Sequence, residues 1–567
     1  MTRRRTTQLG VAAASILTWA PIATFAEEPL SSILPIVDAS GMLTYPEGAP
    51  VPRYATEFEK RLQATLPPYD LRGSTPPPDG PIVCPGEYAP MDGILIAWEG
   101  TTAWLNILAQ MARHITTVGN ANVYVAVDTV SEQSTATTLL NSNSVNMSRV
   151  QFVVRTTDTI WIRDYGPRYI YQGNCRAIVD HTYNRPRPFD DAFSSFFATF
   201  KRHAFYEMPL IHGGGNYHLD SLGRSHATRL INNENPGLTE QQIFDLWNSY
   251  QNVDTTFYTP FPTAVDATQH IDMWVQILGD NAAMVSDWPF NVGSTQDVIC
   301  DNAAASLQSL GYTVTRIPAR SIGGTHYTYT NVVICNNLIL LPTYTNSTIV
   351  SAGHNAQALA AWQSAAPDKT IVQIDCQAIV TAAGVMHCIV MHVPQHLGGV
   401  NPTAYLRTLR GGEVLTPGAQ ADIRWISDDD VLVSNVDILL SLDGGANYDE
   451  VIVSATADDG SFLWTVPDLF SNNARIRVVA RDALGNTGFD QSPSSFTING
   501  TPTLLGDMNC DGVVSVGDIA GFVLALTDPA GYASTYPTCD INAADTNQDS
   551  TISVGDIASF VALLTGP

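Results

Sequence analysis

The sequence predicts an α/β domain followed by a β-sandwich and a small helical calcium-binding repeat module, on three observations. Between about Glu87 and Pro402, β-like runs alternate with amphipathic helical patterns. Residues 403–498 change to short alternating segments broken by turn signals. The tail then repeats one loop-and-helix pattern twice. At 567 residues, with 45 % hydrophobic residues, the chain has material for several cores.

The first 26 residues read as a secretory signal peptide. Arg3, Arg4 and Arg5 precede an apolar run from Leu9 to about Ala23, and small residues lead to a break near Ala26 before Glu27. The run is shorter than a spanning helix and Pro21 interrupts it, so export is expected and no membrane span. Residues 27–86 are proline-rich, with Pro67-Pro68 and Pro76-Pro77-Pro78, and read as an extended leader lying against the first domain.

In the α/β domain (87–402) strands are expected at Gly93–Trp98, Val123–Val127, Val150–Val154, Ala283–Val285, Asn331–Leu341 and Thr370–Ile374. Helices are expected at Thr101–Arg113 and Gln296–Leu310. The sandwich (403–498) reads as about seven strands of immunoglobulin-like type, including Ala421–Trp425, Val436–Leu442, Ser461–Val466 and Ala474–Val479. It holds no cysteine, so it lacks an inter-sheet disulfide.

The repeats (501–567) run Asp507 to Asp518 and Asp545 to Asp556, each continuing into an apolar helix, Ile519–Leu526 and Ile557–Leu564. Oxygen side chains stand at loop positions 1, 3, 5, 9 and 12, the spacing a Ca²⁺ ion requires. They are Asp507, Asn509, Asp511, Ser515 and Asp518, then Asp545, Asn547, Asp549, Ser553 and Asp556. Cys510 and Cys539 are the natural pair for a bridge in this exported tail.

Charge narrows the partners. With 54 acidic against 28 basic residues the net charge is −26, which repels phosphate backbones and excludes nucleic acid as a general partner.

Five clusters in the α/β domain carry chemistry. Trp161-Ile162-Arg163-Asp164-Tyr165-Gly166-Pro167 suggests a strand end presenting polar groups at a pocket rim. In His270-Ile271-Asp272-Met273-Trp274 an extended backbone would put a proton-transfer imidazole and a carboxylate on one face. His212-Gly213-Gly214-Gly215-Asn216 is a loop that backbone can bring close to a ligand. Thr325-His326-Tyr327-Thr328-Tyr329-Thr330-Asn331 and Gly384-Val385-Met386-His387-Cys388 complete the set. A cysteine with His and Asp elsewhere in the sequence is the pattern of a nucleophile with its acid/base.

In this order and spacing, the clusters resemble the guanidino-group-modifying enzymes, which include agmatine deiminase and the secreted bacterial peptidylarginine deiminases. The resemblance covers roughly Glu87 to Leu397, from Glu87-Tyr88-Ala89-Pro90-Met91-Asp92-Gly93 to the Met386-His387-Cys388 cysteine. It implies a five-bladed pseudo-symmetric α/β propeller. It also implies Cys388 as nucleophile, His270 as general acid/base, Asp164 and Asp272 as guanidinium-gripping carboxylates, Asn331 as an accessory polar group and Trp161 lining the slot. No cofactor is implied for catalysis. Tyr183-Asn184-Arg185-Pro186-Arg187-Pro188 resembles the loop by which the secreted enzymes bind the α-carboxylate of a C-terminal arginine, through Arg185 and Arg187.

The expectation is therefore a secreted hydrolase converting peptidyl arginine to citrulline and ammonia, with arginine-containing peptides or proteins as substrates. If it prefers C-terminal arginine, it should spare its own internal arginines. An agmatine deiminase is the alternative enzyme, and a non-catalytic calcium-dependent surface interaction protein the alternative outside enzymes. The paired loops resemble a dockerin, which implies a cohesin-like docking partner; Ser550 replaces the turn glycine of the second loop.

Overall fold

The computed structural model describes residues 30–37, 43–65, 74–500, 504–537 and 539–566. The signal-peptide reading lies outside the described residues. The chain divides into two units, Met1–Leu397 and Gly398–Pro567.

The first unit is built on one repeated arrangement. Five sheets of three or four strands each contain an antiparallel pair and then a parallel neighbour reached through helix. One joins Arg168–Gln172, Cys175–Tyr183 and Ala204–His212, with Ile82–Val83 at its edge. The next three are His218–Leu219 with Arg224–Thr228 and Asp254–Tyr258, Val275–Gly279 with Ala282–Asp287 and Thr313–Pro318, and Val333–Cys335 with Leu338–Thr343 and Thr370–Asp375. In the fifth, Met391–Pro394 pairs with Met91–Ala97, which continues to Asn122–Val127 and Val150–Val154. The end of the domain is thereby stitched to its beginning. None of these sheets closes on itself among the described residues.

Parallel neighbours need helical crossovers, and the apolar patterns supply them. Thr102–Thr117 is capped by Thr101 Oγ1, which accepts from Trp104 N, and buries Trp104, Ile107, Leu108, Met111 and Ile115. Thr295–Ser309 buries Ile299, Cys300, Ala303 and Leu307. The run expected as one strand over Asn331–Leu341 is a hairpin, because Asn336 takes a left-handed φ of 54° and turns the chain between Cys335 and Leu338.

The leader is more ordered than proline content implied. Glu57–Thr65 is a helix opened by a capping box: Thr56 N donates to Glu59 Oε2 at 2.7 Å and Glu59 N to Thr56 Oγ1 at 3.1 Å. Ahead of it, Val51, Pro52 and Arg53 are buried.

In the second unit, nine strands between Thr403 and Asn499 form a three-stranded sheet and a larger sheet centred on Phe470–Asp482, sharing a core of Ile423, Trp425, Val436, Ile438, Ile476 and Val478. The repeats follow as Ile519–Thr527 and Ile557–Thr565, with an additional helix, Pro529–Thr535, between them. Phe522 and Phe560, equivalent positions of the two copies, stack with ring centroids 3.8 Å apart. Cys510 and Cys539 form a disulfide.

Candidate active site

Every chemistry-bearing cluster sits at the same place in its repeat, on the segment that leads into the first strand of a sheet's antiparallel pair. Asp164 precedes Arg168–Gln172, the Gly213–Asn216 loop precedes His218–Leu219, and Asp272 precedes Val275–Gly279. Asn331 precedes Val333–Cys335, and Cys388 precedes Met391–Pro394. Positions scattered over more than two hundred residues therefore converge.

Two local conformations differ from the sequence expectation. Asp164 lies in a single helical turn, Ile162–Tyr165, rather than at a strand end, and is buried rather than at a rim. His270 is extended but caps a 3₁₀ turn, Ile271–Met273, so no strand carries His270 and Asp272 together. They meet because both face the same buried group.

That group is the guanidinium of Arg53, from the leader. Its Nε donates to Asp164 Oδ2 at 2.9 Å and its Nη2 to Asp164 Oδ1 at 2.7 Å. Nη1 and Nη2 donate to Asp272 Oδ1 and Oδ2 at 3.1 and 3.0 Å. Two forked carboxylates thus hold one planar cation on two edges. Nη2 also lies 2.9 Å from His270 Nδ1, and Nη1 lies 2.7 Å from Cys388 Sγ. Arg53, Asp272, His270 and Cys388 are each fully buried.

Glycines shape the pocket. A Cβ on Gly215 would overlap Arg53 Nη2 and come within 2.8 Å of Asp164 Oδ1 and 2.9 Å of Asp272 Oδ2. One on Gly384 would reach 2.6 Å from Trp161 Cζ3 and 3.0 Å from Cys388 Sγ. Only glycine leaves room there for the guanidinium on one side and the thiol on the other.

Asn331 binds the pieces together. Its Nδ2 donates to the Asp272 carbonyl at 3.1 Å, and its Oδ1 accepts from His387 N at 3.1 Å and from the Cys388 thiol at 3.3 Å. Behind Asp272, His387 spans two carboxylates, with Nδ1 2.9 Å from Asp272 Oδ2 and Nε2 2.9 Å from Glu87 Oε2. Glu87 also takes Arg163 Nη1 at 2.7 Å. Glu87, Arg163 and His387 were quoted in the sequence only as parts of motifs; their positioning role shows in three dimensions.

Burial opposes the ionisation of Asp164, Asp272 and Cys388, and the neighbouring charges offset it to different degrees. For Asp164 and Asp272 burial is outweighed by Arg53 and by the adjacent imidazoles, which hold both carboxyls well below the usual range. For Cys388 burial wins: the thiol is pushed well above its ordinary value, against the Arg53 cation and with the push of Asp272 and Asp164.

The remaining expected residues grip the leader's backbone. Trp161 Nε1 donates to the Val51 carbonyl at 2.8 Å. Arg187 Nη2 donates to the Pro52 carbonyl at 2.8 Å, while Nε reaches Glu59 Oε1 at 2.7 Å and Nη2 reaches Oε2 at 3.2 Å. Arg185 is not brought alongside it. Its Nη1 donates to the Asn184 carbonyl at 3.1 Å, and it lines a cleft of about 630 Å³ with Gln63, Ile211 and Glu234. Arg187 thus carries a carboxylate, that of Glu59, while Arg185 takes a carbonyl.

In the two repeat loops, the position-12 carboxylates gather backbone donors. Asp518 accepts from Met508, Asn509 and Ser515 N–H groups, and Asp556 accepts from Asn547 and Ser553. Asp507 accepts from Asp511 and Gly512, and Asp545 from Asp549 and Ser550. The donor set is all oxygen, which suits a hard cation.

A buried thiol, an imidazole and two carboxylates around a guanidinium define a deiminase of the guanidino C–N bond. Residues 83–394 match the family of Porphyromonas-type peptidyl-arginine deiminases, and the chain belongs to that family. A Shewanella baltica protein provisionally named agmatine deiminase is 25 % identical over 373 residues, covering 57 % of this chain and 96 % of the relative. A similar protein from Photobacterium profundum is 22 % identical, covering 57 % of this chain and 98 % of its own length. Among solved structures, the agmatine deiminase of Enterococcus faecalis is similar at 17 % identity with a TM-score of 0.49, over 56 % of this chain and 96 % of that one.

Proposed function

We propose that this protein is a peptidylarginine deiminase, hydrolysing the guanidinium of arginine within peptides to give citrulline and ammonia. The observation that carries this reading is the pocket's occupant, an arginine side chain whose own main chain is held on both flanks. Trp161 takes the Val51 carbonyl, and Arg187 takes the Pro52 carbonyl at 2.8 Å and the Tyr54 carbonyl at 3.4 Å. A free alkylguanidine has no such carbonyls to offer.

The chemistry follows from the contacts. The guanidinium carbon is a poor electrophile, so alignment and a strong nucleophile are needed. Asp164 and Asp272 fix the plane of the cation, the Cys388 thiol proton passes to His270, and the resulting thiolate bonds to Cζ. The Cζ–Nη2 bond then breaks as protonated His270 delivers its proton to Nη2, leaving a thiouronium on Cys388. Water adds to Cζ, giving one proton to His270, and the C–S bond breaks to return the thiolate and release the ureido product, the second water proton ending on ammonia as ammonium. Asn331, which accepts from the Cys388 thiol, orients the sulfur before attack.

Agmatine deimination is the second reading, favoured by the names of the relatives that match along 96 % of their length or more. The two separate on an Arg53→Gln chain, offered agmatine and a peptide carrying arginine. Citrulline formation from the peptide supports our reading, and turnover of agmatine alone rejects it.

The five sheets, with the last strand pairing back to the first part of the domain, support the expected five-bladed propeller. Among the described residues no helix is long and apolar enough to cross a membrane; export rests on residues 1–26, and amino-terminal sequencing of secreted protein tests it. The repeats are proposed to bind two Ca²⁺ ions and to serve attachment to a cohesin-like partner. Removing residues 501–567 should abolish high-affinity calcium binding and spare deimination.

A further inference from the structure

The occupant of the active site belongs to the chain itself. Arg53 is an internal arginine, its backbone N–H donates to the Ala382 carbonyl at 3.0 Å, and its side chain meets both carboxylates, the thiol sulfur and the imidazole. The rest of the leader is seated around it. Glu59, on the helix that follows, carries its carboxylate to Arg187, and Tyr45 donates to Glu59 Oε1 at 2.8 Å. Gln63, one turn further on, donates to the Asn184 carbonyl at 3.1 Å. A guanidinium in the pocket and a carboxylate on Arg187 together imitate the two charged ends of an arginine-terminated peptide.

The nitrogens are sorted as turnover needs them. Nη1 faces the sulfur, and Nη2 faces the imidazole that would protonate it as it leaves. A leader that only blocked the site could do so with any cation; this one presents the bond to be broken.

We propose that Arg53 is a modification site of this chain, deiminated in cis by Cys388, and that its conversion to citrulline releases the leader and opens the pocket. This rests on the deiminase reading above. The reaction consumes one water and yields citrulline and ammonium. Sulfur bonds to Cζ, Cζ–Nη2 breaks with nitrogen leaving as ammonia, and water replaces sulfur at Cζ. The product's ureido group is neutral, so Asp164 and Asp272 lose the cation that compensates their buried charges. The carboxylates that held the arginine then favour its exchange for an external guanidinium. Internal arginine at this position is thus not spared, contrary to a strict C-terminal preference.

The test is peptide mass mapping of position 53 in the purified full chain. Wild-type protein is mapped alone and after mixing with isotope-labelled Cys388→Ala chain, and an Arg53→Gln chain is assayed on an arginine peptide and agmatine. We expect citrulline at 53 in wild type and arginine at 53 in the labelled variant after mixing. Arginine at 53 in wild type overturns the proposal, and so does citrulline in the labelled Cys388→Ala chain, since that modification would be intermolecular. The Arg53→Gln assay separates the two levels. Turnover by that chain with unmodified Arg53 in wild type leaves the deiminase reading standing and removes only self-modification, whereas no turnover of any guanidine removes both.

Discussion

Arg53 Nη1 and Cys388 Sγ lie 2.7 Å apart across a separation of 335 residues, the leader and the end of the catalytic domain meeting at the thiol. The contact makes the leader part of the active site, and it gives each site residue a measurable role.

Cys388 is the nucleophile of the account. Cys388→Ala should lower deimination by more than about 10³-fold, since no other group can form the covalent intermediate. Circular dichroism and thermal melting of the variant should stay close to wild type, and appreciable turnover would remove Cys388 from the mechanism.

Gly215 is the floor beneath the guanidinium. A methyl there collides with Nη2, so Gly215→Ala in the Arg53→Gln chain should reduce kcat/KM about 10²-fold or more, the usual consequence of displacing a reacting group by an ångström. The same substitution in an otherwise wild-type chain should expel Arg53 and make the leader susceptible to limited proteolysis. An unaffected rate would show that the guanidinium binds elsewhere.

The pH dependence has a definite sign. Burial raises the Cys388 thiol, so the reactive thiolate is scarce at neutral pH and increases as pH rises. With a guanidinium in the pocket, Asp164 and Asp272 are held below the usual carboxylate range, stay ionised across the same interval and contribute no limb of their own to turnover. Alkylation of Cys388 by iodoacetamide in the Arg53→Gln chain should climb roughly tenfold per pH unit from about pH 6 to about pH 9. A flat profile would contradict a protonated resting thiol.

The second calcium-type loop carries a local strain that the first lacks. Ser550 holds φ at 68°, where the equivalent Gly512 holds 85° at no steric cost. Relief of about 1 kcal/mol in Ser550→Gly should raise the proposed calcium affinity at that loop by about fivefold. Calorimetric titration reads this directly, with Asp507→Ala silencing the first loop; an unchanged affinity would place the weakness elsewhere.

The clusters that form the site were legible because each is a dense local word: Trp161 to Pro167, the glycine loop, His270 to Trp274, Asn331 and Cys388. Their placement was also partly legible, since strand and helix runs such as Val150–Val154 and Thr102–Thr117 are set by apolar period. The backbone at Asp164 and Asp272 was not, because one-turn helices carry no periodicity. Arg53 was invisible for another reason. It stands between Pro52 and Tyr54 in a segment without pattern, and only the pocket, assembled from five distant segments, gives a lone arginine there a meaning. The Thr56–Glu59 capping box, by contrast, is a readable signal that the leader is ordered. Arg185 and Arg187 were legible as a pair of cations, but their separate partners here, the Asn184 carbonyl for Arg185 and Glu59 for Arg187, come from residues far away in sequence or from backbone and left no local signal.

The most direct test of the central claim measures ureido product and ammonia released by the Arg53→Gln chain from three substrates: a peptide ending in arginine, the same peptide with arginine internal, and agmatine. The account predicts equimolar citrulline and ammonia from the peptides, abolished by Cys388→Ala. Product from agmatine alone, or from none of the three, would contradict it.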